Sequence, residues 1–511
     1  MSQCIINGRR LQIRTVNYAN NVLTIPAENR YNYLKDTYVG KEKAMGDYFL
    51  AVDIGASSGR HILGSMQGGK MAIEEVYRFE NGMVKKNGHL YWDVNHLEKE
   101  IIAGMAKCRE VGKIPISMGI DTWAVDYVLL NKEDKIVGST YGYRDMRTKG
   151  MDEEVYRIIP QDKLYARNGI QKLIFNTVYQ LMAAKIQEPE ILAQADSLLM
   201  IPDYFNFVLT GEKKSEYTNA TTGQLVDVKT NDWDWELMDM LGFPKHIFHP
   251  LSMPGTIVGE LKEEIAKEVG YQCKVMQIAS HDTASAVLAV PSLEEESLYI
   301  SSGTWSLLGT EIMKPICSKE SMEKNFTNEG GCDYRFRYLK NIMGLWMIQS
   351  VRHEYNDAFS FPEICRQAEE EKDFPSRVDV NDDCFLAPDN MTEEIQSYCA
   401  KTGQEIPRTL GQLATVIYQS LAECYAETFT DVENLTGKKY KAVNIVGGGS
   451  NAAYLNELTA AKSGRTIYAG PGEATAIGNI AVQMMEAGEL GSLQKARKCI
   501  FHSFGVEEYK P

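Results

Sequence analysis

The sequence predicts an α/β protein built from two domains of related topology that meet at a cleft. A chain of 511 residues is too long for one ordinary hydrophobic core, so two or three domains are expected. Short apolar runs alternate with longer helical patterns along most of the chain, which is typical of α/β folds. A strand, a glycine-rich turn and a second strand occur near residue 53 and again near residue 301, which indicates an internal duplication.

The composition narrows the class of protein. With 44% hydrophobic and 24% charged residues the chain is globular, and its formal charge of −15 disfavours nucleic acid or an anionic membrane as a partner. The 10 cysteines are scattered without a C-x-x-C pair, which indicates reduced thiols rather than a zinc site or a disulfide framework. The sequence shows neither a membrane-spanning apolar stretch nor a signal-peptide core, so we predict a cytoplasmic protein, as a monomer or a homodimer.

Residues 1–47 differ from the rest of the chain. They are polar and lack sustained periodicity, and the first core strand begins only at residue 48. We interpret them as a disordered N-terminal tail, with Met45 as the functional start of the protein. A docking arm for a partner is the alternative.

The first domain is predicted over residues 48–290 and the second over residues 297–495, on either side of the charged linker 291–296. In the first domain the predicted elements are strands at 48–52 and 60–64, a β pair at 116–120 and 125–130, helices at 151–159, 177–187 and 202–209, a strand at 275–279 and a helix at 284–290. In the second they are strands at 298–301 and 306–310, a helix at 410–436, a strand at 442–446 and a helix at 452–463.

The first glycine turn, residues 53–60, reads Asp-Ile-Gly-Ala-Ser-Ser-Gly-Arg. Glycines behind a strand expose backbone N–H groups to an anion, so one interpretation is a phosphate loop in which Ser57 and Ser58 donate to a γ-phosphate and Arg60 adds a cation. Asp53 ends the strand and is a candidate Mg²⁺ ligand, because this ion prefers hard oxygens. A tight polar hairpin without a ligand is the alternative. The sequence contains neither the P-loop lysine motif nor G-x-G-x-x-G, which disfavours P-loop and Rossmann folds.

Two further glycine turns strengthen the case for a nucleotide. The turn at 301–306 offers Thr304 as a hydroxyl for a β- or γ-phosphate. The turn at 447–451 lies between a strand and a helix, where its glycines permit close approach of a base or ribose and the helix N-terminus favours an anion. A flexible strand-to-helix connection is the alternative for this third turn.

Asp282 is the candidate general base. It follows a buried strand at the end of the first repeat, where the cleft is predicted, and one carboxylate there can orient an acceptor hydroxyl and take its proton. A helix N-cap is the alternative. His281 is either a partner of a sugar hydroxyl or a core histidine. Trp123 and Tyr127 form either a sugar platform or part of the core.

These stretches together resemble the FGGY carbohydrate kinases of the actin-like ATPase superfamily, over residues 48–497. The most specific runs are Thr-Trp-x-Val-Asp at 122–126, His-Asp-Thr-Ala-Ser-Ala at 281–286 and Lys-Asn-Ile-Met-Gly-Leu-Trp at 340–346. Further matching runs lie at 52–60, 119–126, 202–205, 216–222, 279–286, 301–306, 327–331 and 445–449.

The resemblance implies two ribonuclease-H-like domains that close over sugar and ATP. It also implies ATP- and Mg²⁺-dependent phosphorylation of L-rhamnulose at its 1-hydroxyl, in L-rhamnose breakdown. By motif, Asp282 is the base, and the sugar contacts are Ala124, His281, Asp282, Thr283 and Asn341. The implied ATP contacts are Ala56, Ser57, Ser58, Gly59, Arg60, Thr304, Gln349 and Gly448.

Position 124 departs from the family pattern, since alanine stands where the family usually has glycine. The extra methyl group is expected to retune the sugar pocket or to be absorbed by a small backbone shift. Two other functions stay open at this point. One is a kinase for another ketose, such as L-fuculose or L-xylulose, and the other is a non-catalytic, ATP-gated regulatory protein with the same fold.

Overall fold

The computed structural model describes residues 4–6, 9–11, 46–294, 297–386 and 388–511. The chain divides into one unit at Met1–Gly46 and a second at Asp47–Pro511. In the first unit the strands Cys4–Ile6 and Arg9–Leu11 pair antiparallel. The interpretation of residues 1–47 as a disordered tail starting functionally at Met45 falls almost entirely outside the described residues, so it stays a prediction.

A mixed sheet forms the centre of the first half of the larger unit. In chain order its strands are β1 (Tyr48–Ile54), β2 (Ser58–Gln67), β3 (Lys70–Glu80), β4 (Pro115–Thr122), β5 (Ile257–Glu260) and β6 (Lys274–Met276). They lie in the order β5-β6-β4-β1-β2-β3, with β1 to β3 antiparallel to one another and β4 parallel to both β1 and β6. The central strand β1 is apolar along most of its length because both of its faces are covered.

The second half repeats this plan. Its strands are β7 (Leu298–Ser302), β8 (Trp305–Ile312), β9 (Thr327–Gly330), β10 (Phe336–Met343), β11 (Ala442–Val446), β12 (Thr466–Ala469) and β13 (Glu507–Tyr509). They lie in the order β9-β10-β8-β7-β11-β12-β13. The antiparallel run β7-β8-β10 followed by the parallel strands β11 and β12 reproduces the run β1-β2-β3 followed by β4 and β6. The predicted duplication into two ribonuclease-H-like domains is confirmed.

Helices cover the two sheets. In chain order they are α1 (Val94–Glu110), α2 (Met151–Tyr156), α3 (Gln161–Asn168), α4 (Thr177–Gln187), α5 (Pro189–Gln194), α6 (Ile201–Thr210), α7 (Tyr217–Ala220), α8 (Trp235–Leu241), α9 (Glu263–Val269), α10 (Asp282–Leu288), α11 (Lys319–Glu323), α12 (Trp346–Glu354), α13 (Phe361–Glu370), α14 (Met391–Lys401), α15 (Leu410–Thr436), α16 (Ala453–Ser463), α17 (Ala474–Glu486) and α18 (Leu493–Ser503). Within the described part of the chain, none of these helices is long and apolar enough to cross a membrane.

Shorter strands pair outside the two main sheets. The antiparallel pairs are Val84–Lys86 with His89–Tyr91, Tyr127–Leu130 with Ser197–Met200, and Val226–Asp227 with Asp232–Trp233, while Ser215–Glu216 pairs parallel with Leu251–Ser252.

The predicted β pair at 116–120 and 125–130 is wrong. The first segment is β4 of the main sheet, whereas Tyr127–Leu130 pairs with Ser197–Met200. The separation is caused by a γ-turn, in which the N–H of Asp126 donates to the carbonyl of Ala124 at 2.9 Å and Val125 has φ of 68°. This turn directs the chain out of the sheet. The strand predicted at 275–279 is also shorter than expected, and its helix begins at Asp282 rather than at residue 284.

Helix α17 joins the two halves. It lies between β12 and β13 of the second sheet in the chain but packs on the first sheet, where Gln483 Nε2 donates to the carbonyl of Leu50 at 3.0 Å. A side chain at Gly478 would overlap the carbonyl oxygen of Ser285, so glycine permits α17 to approach α10. Residues of β1, α10 and α17 consequently share one hydrophobic cluster between the sheets.

Candidate active site

The carboxyl ends of β1 and β4 bring two aspartates together. The strands are parallel and in register, so Asp53 lies opposite Asp121. The loop between β6 and α10 runs alongside, because the N–H of Thr122 donates to the carbonyl of Ser280 at 2.9 Å and Thr122 forms a parallel bridge with His281. Open α/β sheets bind ligands at the carboxyl ends of their strands. This edge of the first sheet is therefore the candidate site.

Asp282 is held at the start of α10, with its side chain 34% exposed. The hydroxyl of Thr283 donates to Asp282 Oδ1 at 3.0 Å, and the backbone N–H of Thr283 donates to the same oxygen. Burial raises the pKa of Asp282; His281 opposes this effect and Asp53 adds to it. The N-cap position belongs to His281, without a side-chain cap bond, so Asp282 is not the cap of this helix.

The imidazole of His281 has charged neighbours rather than an apolar shell. Nε2 lies 3.4 Å from Asp282 Oδ1, and Nδ1 lies 3.2 Å from Arg337 Nη2 and 3.5 Å from Glu329 Oε2. The residue is 9% exposed. Arg337 and Glu329 belong to the second half of the chain, so this contact crosses between the halves.

A buried carboxylate supports the loop beneath the site. Glu216 Oε2 accepts hydrogen bonds from the Ser280 hydroxyl at 2.7 Å and from the Ser280 N–H at 3.2 Å, while Oε1 accepts from the N–H of Thr218 at 2.8 Å. The N–H of Glu216 in turn donates to Asp203. Burial raises the pKa of Glu216 despite these donors, and burial together with Glu216 raises the pKa of Asp203 well above its ordinary range. The two acids fix the backbone that leads into Asp282.

Arg60 on β2 and Asn479 on α17 are the partners of the two strand-end aspartates. Arg60 Nη2 lies 2.6 Å from Asp53 Oδ2, and its other terminal nitrogen pairs with Glu473. Asp121 Oδ2 accepts from Asn479 Nδ2 at 2.6 Å. Burial, with the charge of Asp53, raises the pKa of Asp121 well above its ordinary range.

The first two glycine turns are equivalent hairpins, one in each half. The N–H of Gly55 donates to the carbonyl of Ser58 at 2.9 Å between β1 and β2. The N–H of Gly303 donates to the carbonyl of Trp305 at 2.8 Å between β7 and β8. Ser57 and Thr304 are exposed at the tips of their hairpins, where their hydroxyl groups are open to a ligand.

A cavity of about 590 Å³ lies beside the third turn. Gln349, Gly448 and Gly303 line it, the last being the neighbour of Thr304. Its further lining residues are Leu345, Ile348, Phe361, Pro362, Cys365, Arg366, Glu369, Tyr418, Gly449, Asn451, Ala452, Ala453, Tyr454 and Glu457. The volume and the mixed aromatic and polar lining suit a nucleoside. Residues 56–60 do not line this cavity, so the structure gathers only part of the predicted ATP set there.

Two glycines of the third turn, Gly448 and Gly449, have different surroundings. A methyl group at Gly449 would overlap the Ser302 hydroxyl at the end of β7, so this position presses the turn against the strand. A methyl group at Gly448 would meet no heavy atom within 4 Å. Gly449 is therefore needed for packing, whereas Gly448 faces open space at the cavity.

Ala124 lies at the γ-turn after β4 and is half-buried. The turn is held by buried Asp126, which accepts from Trp92 Nε1 at 2.6 Å, Trp123 Nε1 at 3.0 Å and Gln180 Nε2 at 2.8 Å. Positive φ in a β-branched residue such as Val125 is strained, and such strain clusters at functional sites.

Two aromatic side chains weighed as a sugar platform are part of the core. Trp123 is buried and stacks on Trp92 with 3.9 Å between ring centroids. Tyr127 is also buried, and its hydroxyl accepts from Arg147. Tyr143 is half-buried beside Phe175 and provides the more accessible ring in this region.

Asn341 lies on β10 four residues beyond Arg337, and residues at this spacing share one face of a strand. Its Oδ1 is buried and makes no hydrogen bond within the described part of the chain. Among the described residues no hydrogen bond joins Asn341 to residues 281–283, so the structure places Asn341 on the strand that carries Arg337 to His281 but does not bond it to the base loop.

Sequence reasoning missed several residues of this site: Asp121, Glu216, Glu329, Arg337 and Glu473. Three of them, Asp121, Glu216 and Glu329, fall in runs that matched the family, 119–126, 216–222 and 327–331, and those runs were a usable signal. Nothing local distinguishes Arg337 or Glu473, because their partners are distant in the sequence.

Known proteins resemble the chain in both halves. Residues 48–289 match the model of the N-terminal domain of the FGGY family of carbohydrate kinases, and residues 298–487 match the model of its C-terminal domain. The chain is 49% identical over 463 residues to a curated rhamnulokinase from Halalkalibacterium halodurans, covering 91% of this chain and 98% of the relative. It is 41% identical over 464 residues to the rhamnulokinase from Bacillus subtilis, covering 91% and 95%.

Solved structures share the fold. The ligand-bound xylulose kinase from Lactobacillus acidophilus superposes with a TM-score of 0.73 at 16% identity, covering 91% of this chain and 94% of that one. The glycerol kinase from Plasmodium falciparum with ADP superposes with a TM-score of 0.70 at 14% identity, covering 92% and 95%.

Proposed function

This chain belongs to the FGGY family of carbohydrate kinases, and on that premise we propose that it transfers the γ-phosphoryl group of ATP to the 1-hydroxyl of L-rhamnulose. The products are L-rhamnulose 1-phosphate and ADP. The observation that carries the choice of sugar is the 49% identity to a curated rhamnulokinase over 91% of the chain. The reaction belongs to L-rhamnose breakdown, and the scattered free thiols suit a reducing cytoplasm.

Asp282 acts as the general base. Its carboxylate takes the proton of the 1-hydroxyl, the sugar oxygen forms a bond to the γ-phosphorus, and the bond from that phosphorus to the β-phosphate oxygen of ADP breaks. The raised pKa of Asp282 strengthens it as a proton acceptor, and its anchored Oδ1 fixes the direction of the group. Ala124, His281, Thr283 and Asn341 form the sugar side of the site.

ATP binds from the second half. The adenosine occupies the 590 Å³ cavity at Gln349 and Gly448, and Thr304 contacts the phosphates. Residues 56–60 of the opposite hairpin meet the γ-phosphate through Ser57, Ser58 and their backbone, with Arg60 as the cation.

Mg²⁺ fits the strand-end aspartates. Asp121 Oδ1 is buried and has no hydrogen-bond partner within the described ranges, and Asp53 offers a second hard oxygen beside it. No larger cluster of His, Cys, Asp or Glu that could hold a metal ion occurs among the described residues. The ion would neutralise charge on the β- and γ-phosphates.

A ketose panel tests the choice of sugar. ADP release is measured through a coupled assay with L-rhamnulose, L-fuculose and L-xylulose, and we expect the highest kcat/KM on L-rhamnulose. A higher value on either other ketose would assign the enzyme to that sugar instead.

The base is tested separately. Asp282→Asn is expected to lower kcat by about 10²–10⁴-fold while ATP still binds, because general-base catalysis contributes that much. Unchanged turnover would show that another group takes the proton. The absence of turnover on every ketose in the unaltered protein would favour the regulatory alternative.

A further inference from the structure

Arg337 is a buried charge with an unusual set of partners. It lies on β10, is fully buried, and stands directly opposite Glu329 in the register of β9 and β10. Its Nη1 lies 3.0 Å from Glu329 Oε2, and its Nε donates to the carbonyl of Gly330 at 2.9 Å. Removing a guanidinium group from water costs several kcal/mol, about as much free energy as its pairing with a carboxylate recovers. A gain in stability therefore does not explain why an arginine occupies this position.

The third contact of Arg337 is with a residue of the first half, His281. Nη2 donates to His281 Nδ1 at 3.2 Å. A guanidinium group has donors only and stays protonated, so Nδ1 must accept with its lone pair. In the neutral ring the proton is then on Nε2, the nitrogen that lies 3.4 Å from Asp282 Oδ1.

We propose that Arg337 is a positioning residue that fixes His281 as the neutral ring with its proton on Nε2, directed at Asp282. This inference rests on the proposed role of Asp282 as the base. A neutral donor orients the carboxylate and still leaves the site able to accept a proton from the sugar. An imidazolium at the same position would repel Arg337.

Glu329 is the carboxylate of the second half that faces His281, and its ionisation affects which ring nitrogen carries the proton. Burial alone would raise the pKa of Glu329, but the charge of Arg337 acts against burial, and the pKa of Glu329 is lowered. The carboxylate therefore stays ionised, 3.5 Å from His281 Nδ1. The charged groups that face the imidazole are thus Asp282, Glu329 and Arg337. If the cation is removed, Glu329 alone faces Nδ1 and draws the proton to that nitrogen.

The edge strand β9, which carries Glu329 and pairs with the strand of Arg337, contacts the first half next to the site. The N–H of Gly330 donates to Thr221 Oγ1 at 2.9 Å, and the backbone N–H and Nδ2 of Asn328 both donate to the carbonyl of Gly169, at 2.9 and 3.0 Å. These contacts fasten β9 of the second half to the first half. The position of Arg337, and with it the tautomer of His281, consequently depends on the two halves being docked.

The tautomer is measured directly by the ¹⁵N chemical shifts of the imidazole in the full-length protein, with His281 assigned by its absence in His281→Asn. We expect protonated Nε2 in the unaltered protein and in Arg337→Lys, which keeps the cation. In Arg337→Met the proton is expected on Nδ1 or on both nitrogens. Protonated Nδ1 in the unaltered protein, or an unchanged tautomer in Arg337→Met, would overturn the proposal.

Kinetics give a second readout. Arg337→Met is expected to lower kcat by about 10- to 100-fold, by analogy with the loss seen when the partner that orients a metal-bound histidine is removed, while the KM for ATP stays within about twofold. The loss should shrink sharply in a His281→Asn background, because the residue acts through that ring. An equal loss in both backgrounds contradicts the proposal.

Two further variants keep the test usable if Arg337→Met unfolds. Arg337→Met with Glu329→Leu removes both buried charges, a change that folded proteins tolerate better than removal of one. Arg497→Met is the matched control, since Arg497 is equally buried, pairs with Glu311 at 2.6 Å and donates to the carbonyl of Val287 at 3.0 Å without touching His281. We expect it to lower stability and leave the tautomer unchanged. A shifted tautomer in the control contradicts the assignment, whereas failure of Asp282→Asn to slow turnover counts against the proposed base alone.

Discussion

Two adjacent glycines in the third turn allow the nucleotide cavity to be tested without confusing binding with folding. Gly448 and Gly449 differ only in what a methyl group would meet. At Gly448 it would meet no heavy atom within 4 Å and would enter the space beside the cavity, whereas at Gly449 it would overlap Ser302 Oγ. Alanine at position 448 therefore tests nucleotide binding, whereas alanine at position 449 tests the stability of the fold.

The magnitudes follow from these contacts. Gly448→Ala should change the free energy of unfolding by less than about 0.5 kcal/mol or stabilise slightly, because the short helix at Gly448–Asn451 tolerates alanine. A methyl group pressed against a bound nucleoside costs about 1–2 kcal/mol, which raises the KM for ATP by about 5- to 30-fold. Gly449→Ala should lower the free energy of unfolding by about 1–3 kcal/mol through overpacking.

The assay is steady-state ADP release with ATP varied at saturating ketose, together with urea unfolding of both variants. The KM for the ketose should stay unchanged in Gly448→Ala, since the turn lies on the nucleotide side. Replacing Ser302 by glycine in the Gly449→Ala variant should restore stability, because it removes the overlapping atoms. An ATP KM within twofold of the unaltered value in Gly448→Ala would refute the placement of adenosine at the third turn.

Three substitutions and the addition of ligands test the remaining parts of the site. Thr304→Val should raise the KM for ATP through loss of a phosphate donor, and unaltered ATP kinetics would remove Thr304 from the site. Ala124→Gly should alter only the KM for the ketose; a changed ATP KM would contradict its placement. Burial raises the pKa of Asp126 from 3.8 to about 6, so the folded protein binds the extra proton and stability falls as pH rises from 4 to 6, by on the order of 3 kcal/mol. Asp126→Asn should flatten this slope in urea unfolding across that pH range, and an unchanged slope would show that Asp126 titrates normally. Ligand addition should close the two halves and shrink the radius of gyration in small-angle scattering, and identical profiles would count against closure.

Local signals in the sequence predicted much of the fold. The helix expected at 410–436 is α15, because apolar residues recur at helical spacing over its whole length, and the strand expected at 442–446 is β11, a short and mostly apolar run. The first two glycine turns were correctly expected as equivalent hairpins of two repeats. The γ-turn at Val125 was not predictable, since nothing in the sequence indicates positive φ at a β-branched residue.

One physical reason explains why several contacts of the site could not be predicted from the sequence. Glu473 pairs with Arg60, Asn479 binds Asp121, and Arg337 binds His281. Each of these contacts joins residues more than 50 positions apart, across the two halves of the chain. The pattern of one half gives no information about a partner carried by the other.

The contacts between the two halves couple domain closure to the surroundings of Asp282. Asp53 and Asp121 are buried at the edge of the first sheet, and desolvation together with the charge of Asp53 raises the pKa of Asp121 and of Asp282. Asn479 on α17 binds Asp121, and Glu473 at the start of α17 pairs with Arg60, which in turn pairs with Asp53. Displacing the second half against the first would separate Arg337 from His281 and so change the surroundings of Asp282, whereas the nucleotide cavity is lined by residues of the second half and would stay intact. Domain closure would then bring an oriented carboxylate to ATP that is already bound, so an open form that binds ATP alone would lack this orientation, and water would be a poor acceptor for the phosphoryl group.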